Sequence, residues 1–126
     1  MTTKLDTDCS ALERLLAEKG TLVADGAMGT TLFEMGLESG GCPELLNVER
    51  PALVRRVHQA FVDAGADIIL TNTFGGNARR LALHGLEDRV AELNAAAAEV
   101  AAGVRKNSER PILVAGSIGP TGDLFE

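Results

Sequence analysis

The stretch Ala66-Asp-Ile-Ile-Leu-Thr-Asn-Thr73 decides how this chain is read. Ile68, Ile69 and Leu70 follow one another with no polar residue between them. A strand with one wet face alternates, whereas a continuous apolar run fits a strand covered on both faces, as in a parallel sheet. Upstream lies a helix: Pro51 stands at a first helical position, and Val54, Val57, Ala60, Phe61 and Ala64 form one apolar stripe that stops at Gly65. Two other runs repeat the pattern. Thr21-Leu-Val-Ala-Asp25 reads as a short buried strand, and Pro111 opens a third, Ile112-Leu-Val-Ala115.

The remaining segments fill in a helix–strand alternation. Ser10-Ala-Leu-Glu13 has the form of a capping box, which predicts a helix over 10–19 ending at Gly20, with residues 1–9 expected to be disordered. Residues 26–50 show no long periodicity beyond a helical turn over Thr30–Met35, and a connection of that length is usually functional or mobile. Asn77 caps a short helix ending before Gly85. Leu86, Val90, Leu93, Ala97, Val100, Ala101 and Val104 then trace a longer helix, with Arg105 and Lys106 suited to its C-terminal dipole. The order is that of βαβ units in a parallel α/β sheet.

Composition narrows the function. The 126 residues amount to one domain, and 45% hydrophobic content supports a core; four Phe with no Trp or Tyr leave that core to aliphatic side chains. A net charge of −6 argues against a nucleic-acid surface. Two cysteines, Cys9 and Cys42, form neither a disulfide framework nor a CxxC pair. No signal-peptide pattern or membrane-length apolar run is visible, so the expected location is the cytoplasm.

Each strand ends alike, in small polar residues and glycines: Asp25-Gly-Ala-Met-Gly-Thr30, Thr71-Asn-Thr-Phe-Gly-Gly76 and Gly116-Ser-Ile-Gly-Pro-Thr121. Parallel α/β folds bind ligands at the carboxyl ends of their strands, so three such tips define one candidate pocket. An acid beside bare amides and hydroxyls suits a zwitterion: Asp25 for an ammonium, N–H groups and Ser or Thr for a carboxylate. Asp25 reads equally well as a turn residue, and Thr71 and Ser117 taken singly read as structural hydroxyls. Neither GxGxxG nor GxxxxGK[ST] is present, which sets nucleotide binding aside. His58, His84 and Asn94 are expected at helix surfaces or ends, and Cys42 has no basic or metal-like neighbour in sequence.

The three tips, together with Ala64-Gly-Ala-Asp-Ile-Ile-Leu-Thr-Asn-Thr-Phe-Gly75, resemble the successive strand-end motifs of the homocysteine S-methyltransferase family. That family includes betaine–homocysteine methyltransferases and the homocysteine-binding domain of cobalamin-dependent methionine synthase. The resemblance covers residues 20–126 and implies the first three βα units of a (β/α)₈ barrel. It also implies methyl transfer to the homocysteine thiol to give methionine. Carried over position by position, Asp25 meets the amino group. Gly26, Ala27 and Met28 surround the carboxylate with Thr71 and Ser117, and Thr30 and Asn72 extend the set. The family's zinc ion is held by three cysteines, one on a later strand and an adjacent pair near the C-terminus, and holds homocysteine as a thiolate.

The sequence departs from the pattern where it ends. Neither Cys9 nor Cys42 falls at a family zinc position, and the second substrate-binding acid of the fourth strand is missing. A closed barrel takes ~250 residues, so the chain is expected to be a single partial domain, inactive alone and association-prone, completed by a partner chain or by further copies. The methyl donor (betaine, methylmethionine, or a folate or corrinoid) is not legible. The alternative reading is a small non-catalytic α/β module that binds an amino acid or anion.

Overall fold

The computed structural model describes the backbone of residues 4–124 and the side chains of residues 11–124. Helix α1, Lys4–Lys19, starts earlier than the capping box predicts, so Ser10 lies inside the helix; of the segment expected to be disordered, residues 1–3 lie outside the described residues. Gly20 ends α1 with φ +74°, a left-handed conformation that an L side chain resists. The chain then passes α2 (Met28–Glu34), a 3₁₀ turn at Pro43–Leu45, α3 (Leu46–Glu49), α4 (Pro51–Asp63), strand β1 (Ile68–Leu70), α5 (Ala78–Leu81), α6 (Val90–Asn107) and strand β2 (Leu113–Ala115).

Strands β1 and β2 pair in parallel, with Ile68 opposite Leu113, Ile69 opposite Val114 and Leu70 opposite Ala115. The predicted first strand survives only as a parallel bridge from Ala24 to Ile68, flanked by hydrogen bonds from Asp25 N to Ile68 O (2.9 Å) and from Asp67 N to Val23 O (2.7 Å). Its register is parallel as expected. Its burial is not, for Val23 is 56% exposed because nothing among the described residues pairs with its outer edge. The spatial order is therefore the 21–25 segment, β1, β2. The architecture is α/β with a small parallel sheet.

The helices cover one face of this sheet. Ile69 is fully buried and packs with Val62 of α4, Ala101 and Val104 of α6, and Ile112. Ile68 and Leu70, which point the other way, are half-buried, so the covering on both faces read from the continuous run holds for one face only. A second cluster joins α2, α3, α4 and α6 through Leu32, Leu46, Val54, Val57 and Val100. Val54 and Val57 are both fully buried, and each contributes about 1.5–3 kcal/mol by leaving water.

The two ends of the sheet are built differently. At its amino end, buried Asp67 accepts a hydrogen bond from Val23 N (2.9 Å) and pairs with Lys19 and with Arg110 (3.4 Å). Arg110 also donates to Ala66 O at 2.8 Å, so one acid joins α1, the first strand segment and the approaches to β1 and β2. The Lys19 ammonium, ahead of the Val23 amide, holds the Asp67 carboxyl below its ordinary range. The carboxyl end gathers the three polar tips.

Candidate functional site

Asp25, Gly26, Ala27, Met28, Thr71, Asn72 and Ser117 line one cleft of about 350 Å³ at the carboxyl end of the sheet. Seven of the eight residues singled out from sequence thus share a single cavity; Thr30, exposed on α2, is not among its lining. Leu70, Thr73, Phe74, Gly29, Pro43 and Glu44 complete the wall.

Asp25 is set by the strand pairing itself. Its N–H bonds to Ile68 O, and its Oδ1 accepts the Leu70 N–H at 3.0 Å, so backbone and side chain both dock on β1. The side chain is only 4% exposed, and burial pushes its carboxyl above the ordinary 3.8, against the pull of the Leu70 amide. The one basic group within 4 Å of Oδ2 among the described residues is His58 Nδ1, at 4.0 Å. After Asp25 the chain turns sharply: Ala27 adopts φ 51°, ψ 30°, left-handed without being glycine, at a cost of about 1–2 kcal/mol. The N–H groups of Gly26, Ala27 and Met28 make no backbone hydrogen bond among the described residues.

A ring of three hydrogen bonds locks the second tip to the third. Ser117 N donates to Thr71 Oγ1 (3.1 Å), the Thr73 hydroxyl donates to Ser117 O (2.7 Å), and the two threonine oxygens lie 2.7 Å apart. Because Thr73 gives its proton to Ser117 O, Thr71 gives its own to Thr73. The Thr71 hydroxyl is therefore engaged inside the protein, while the Ser117 hydroxyl has no protein partner among the described residues. Asn72 is likewise committed: its Nδ2 donates to Pro43 O (2.8 Å) and Asn47 Oδ1 (3.0 Å), and Asn47 returns a bond to Asn72 O. These ties clamp the 43–47 segment over the second tip. The approach of tip to tip is close, since a Cβ on Gly119 would fall 2.1 Å from Phe74 O.

Sequence reasoning missed three residues here. Glu44, 6% exposed, accepts the Gly75 N–H at 2.7 Å through Oε1 and the Cys42 thiol at 3.4 Å through Oε2; its only signal was an acid in a long connection. Asn94 is no simple surface residue, because its Nδ2 donates to Gly76 O at 2.7 Å and so ties α6 to the second tip. His58, expected at the surface, is fully buried. It falls on the core side of α4, among the buried positions Leu53, Val54, Val57 and Val62.

The side chains described do not suit a zinc ion. Among them, no three His, Cys, Asp or Glu groups converge. Cys42 is a buried hydrogen-bond donor to Glu44, and burial pushes its thiol upward, away from the thiolate that a metal requires. No described helix is long and apolar enough to cross a membrane.

Comparison with known proteins bears on the family and the fold. Residues 22–126 match the family model for homocysteine S-methyltransferase. The methionine synthase of Mycobacterium leprae (strain TN) is 36% identical over 126 residues, spanning 91% of this chain and 10% of that protein. The methionine synthase of Mycobacterium tuberculosis (strain ATCC 25618 / H37Rv) is 37% identical over 110 residues, spanning 79% of this chain and 9% of that protein. The crystal structure of the homocysteine methyltransferase MmuM from Escherichia coli, metallated form, superposes with a TM-score of 0.77 at 32% identity. That alignment covers 89% of this chain and 42% of MmuM, so this chain spans less than half of each of these relatives. With the family model matched over most of its length, the chain belongs to the homocysteine S-methyltransferase family.

Proposed function

We propose that this chain supplies the amino-acid-binding part of a homocysteine S-methyltransferase, with the cleft at the three tips receiving the zwitterionic end of homocysteine. One observation carries the reading. Asp25 is a nearly buried carboxylate that meets no Lys or Arg among the described residues, whereas the equally buried Asp67 has two such partners. A buried carboxylate without a cation is costly, and a ligand ammonium offsets that cost where no side chain does. The amides of Gly26, Ala27 and Met28 and the Ser117 hydroxyl supply donors for the ligand carboxylate. Thr71 shapes the wall through its ring with Thr73, Asn72 holds the 43–47 clamp, and Thr30 contributes only through α2.

The reaction of the family is displacement at a methyl group by the homocysteine sulfur, and it requires a thiolate. The described residues hold the amino acid by its head and offer no group that fits activation of the thiol. The chain by itself is therefore a binding element for the methyl acceptor rather than a complete catalyst, with zinc, where the family uses it, held by other residues. Isothermal titration tests this. L-homocysteine binds the chain, Asp25→Ala weakens it by tenfold or more, and N-acetyl-homocysteine, which has lost its ammonium, fails to compete. Equal affinity for the acetylated compound would refute the role of Asp25.

A further inference from the structure

His58 is the one buried side chain of the described residues whose polar atoms are unpartnered: it is 0% exposed, and neither ring nitrogen makes a hydrogen bond. Leaving such a group dry and unpaired is expensive, and proteins retain it where it serves something other than stability. The one acid within 4 Å of it among the described residues is Asp25, whose Oδ1 is pinned by the Leu70 amide and whose Oδ2 stands 4.0 Å from His58 Nδ1. That gap is about 1 Å longer than a hydrogen bond, small enough to be closed by a modest turn of the carboxylate.

We infer that His58 is a positioning residue for Asp25: as a neutral imidazole protonated at Nδ1, it closes onto Oδ2 when a ligand ammonium draws Asp25 into its ionised form. This inference rests on the proposed amino-acid site and adds its support from behind. Without His58, Asp25 is steered by one backbone N–H on one oxygen and free to swing on the other. With it, the ionised carboxylate is held at both oxygens, and the ammonium meets a fixed acceptor. Asp25→Asn would present an amide to the same imidazole and lose this response. Burial disfavours imidazolium at this position, which is why the group acts here as a neutral donor rather than as a competing cation.

The chain has two histidines, and His84 is exposed whereas His58 is buried, so ¹⁵N-imidazole spectra of the full chain separate them. On titration with L-homocysteine, the His58 Nδ1 proton is expected to move downfield as the carboxylate bond forms, while His84 stays unchanged. His58→Leu, which removes the donor, weakens homocysteine about tenfold, and His58→Asn, which keeps a donor near the Nδ1 position, recovers part of the loss. Saturable binding with His58 resonances unmoved, or with the proton on Nε2 throughout, overturns the inference and leaves the amino-acid site standing. Absence of any homocysteine binding overturns the site and the inference together.

Discussion

Acidifying the protein from pH 7 to pH 4 is expected to remove about 3 kcal/mol of stability through His58 alone. Burial pushes this imidazole from 6.5 down to about 4. Between those values the unfolded chain binds a proton that the folded chain refuses, so stability rises with pH across that window, by about 1.4 kcal/mol per pH unit. The contribution is complete above pH 6.5 and is lost as pH falls toward 4. Full burial leaves no solvent screening to reduce it. Three carboxyls with shifted values also titrate at the acid end and must be separated from it; one of them, Glu92, is held downward by its hydrogen bond from Arg89 and acts alike in both proteins compared below. Asp25, pushed upward, favours the folded state on protonation and so opposes the trend. Asp67, held downward, adds to the loss only as pH falls below 3.8. The clean readout is therefore a difference: urea unfolding of the chain and of His58→Leu, measured in steps from pH 7 to pH 4. The variant is expected to be at least as stable at pH 7, because it removes two unpaired polar atoms from the core, and to show the shallower pH slope. Parallel slopes for the two proteins would mean that the imidazole ionises freely in the folded state, and the packing argument around His58 would fail.

Other perturbations follow from particular contacts. Gly119→Ala must push the third tip off Phe74 O and is expected to cost about 2 kcal/mol or more, whereas Gly26→Ala, whose new methyl meets nothing within 4 Å, leaves stability unchanged while crowding the cleft; thermal melts and homocysteine titrations distinguish the two. Ala27→Gly relieves the left-handed backbone and is expected to raise stability by up to about 1 kcal/mol in the same melts. Asp67→Ala strips Lys19, Arg110 and the Val23 amide of a shared partner and is expected to cost about 2–3 kcal/mol without changing the ligand selectivity of the cleft. Homocysteine affinity should fall as pH drops through the raised Asp25 value, since a protonated carboxyl no longer attracts the ammonium, and Asp25→Asn should abolish that pH dependence.

The fold was legible where a segment carried its own periodicity. The Pro51 start of α4, the Asn77 cap that accepts the Arg80 amide at 3.0 Å, and the β1 run occupy their expected places; of the α4 stripe Val54 and Val57 are buried, but Ala60 and Ala64 are exposed and the core side runs through Leu53, His58 and Val62 instead. The boundaries that moved did so because tertiary context outweighed a local signal. Ser10 could cap a helix, but the preceding residues continue α1. Leu86 fits the α6 stripe, yet Gly85 at φ +68° and the turn Glu87–Arg89 delay α6 until Val90. The first strand departs furthest from its expected form. Its apolar residues promised burial, but burial of an edge depends on a neighbour, and no property of Thr21–Asp25 itself supplies one.

The site divides along the same line, between what a strand end declares and what only packing reveals. Asp25 and Asp67 are near-identical in sequence, each an acid beside a short apolar run. Topology sorts them, because one follows its strand and the other precedes it, and in a parallel sheet these positions lie at opposite ends. That much needs no coordinates. What the sequence hides is how each acid is compensated. Lys19 reaches Asp67 from a helix end 48 residues away, and Arg110 does so from 43 residues on the other side. Asp25 receives no such cation; its unpinned oxygen instead faces an imidazole from the core side of α4. A histidine within an apolar stripe looks like an interruption of the stripe and reads as exposed. It becomes informative only when its unpaired Nδ1 is found four ångströms from the unpinned oxygen of a buried acid that no Lys or Arg meets. The end of the sheet where the protein satisfies its own charge is the end that holds the fold together. The end where it leaves a carboxylate half-satisfied is the one equipped to bind something else.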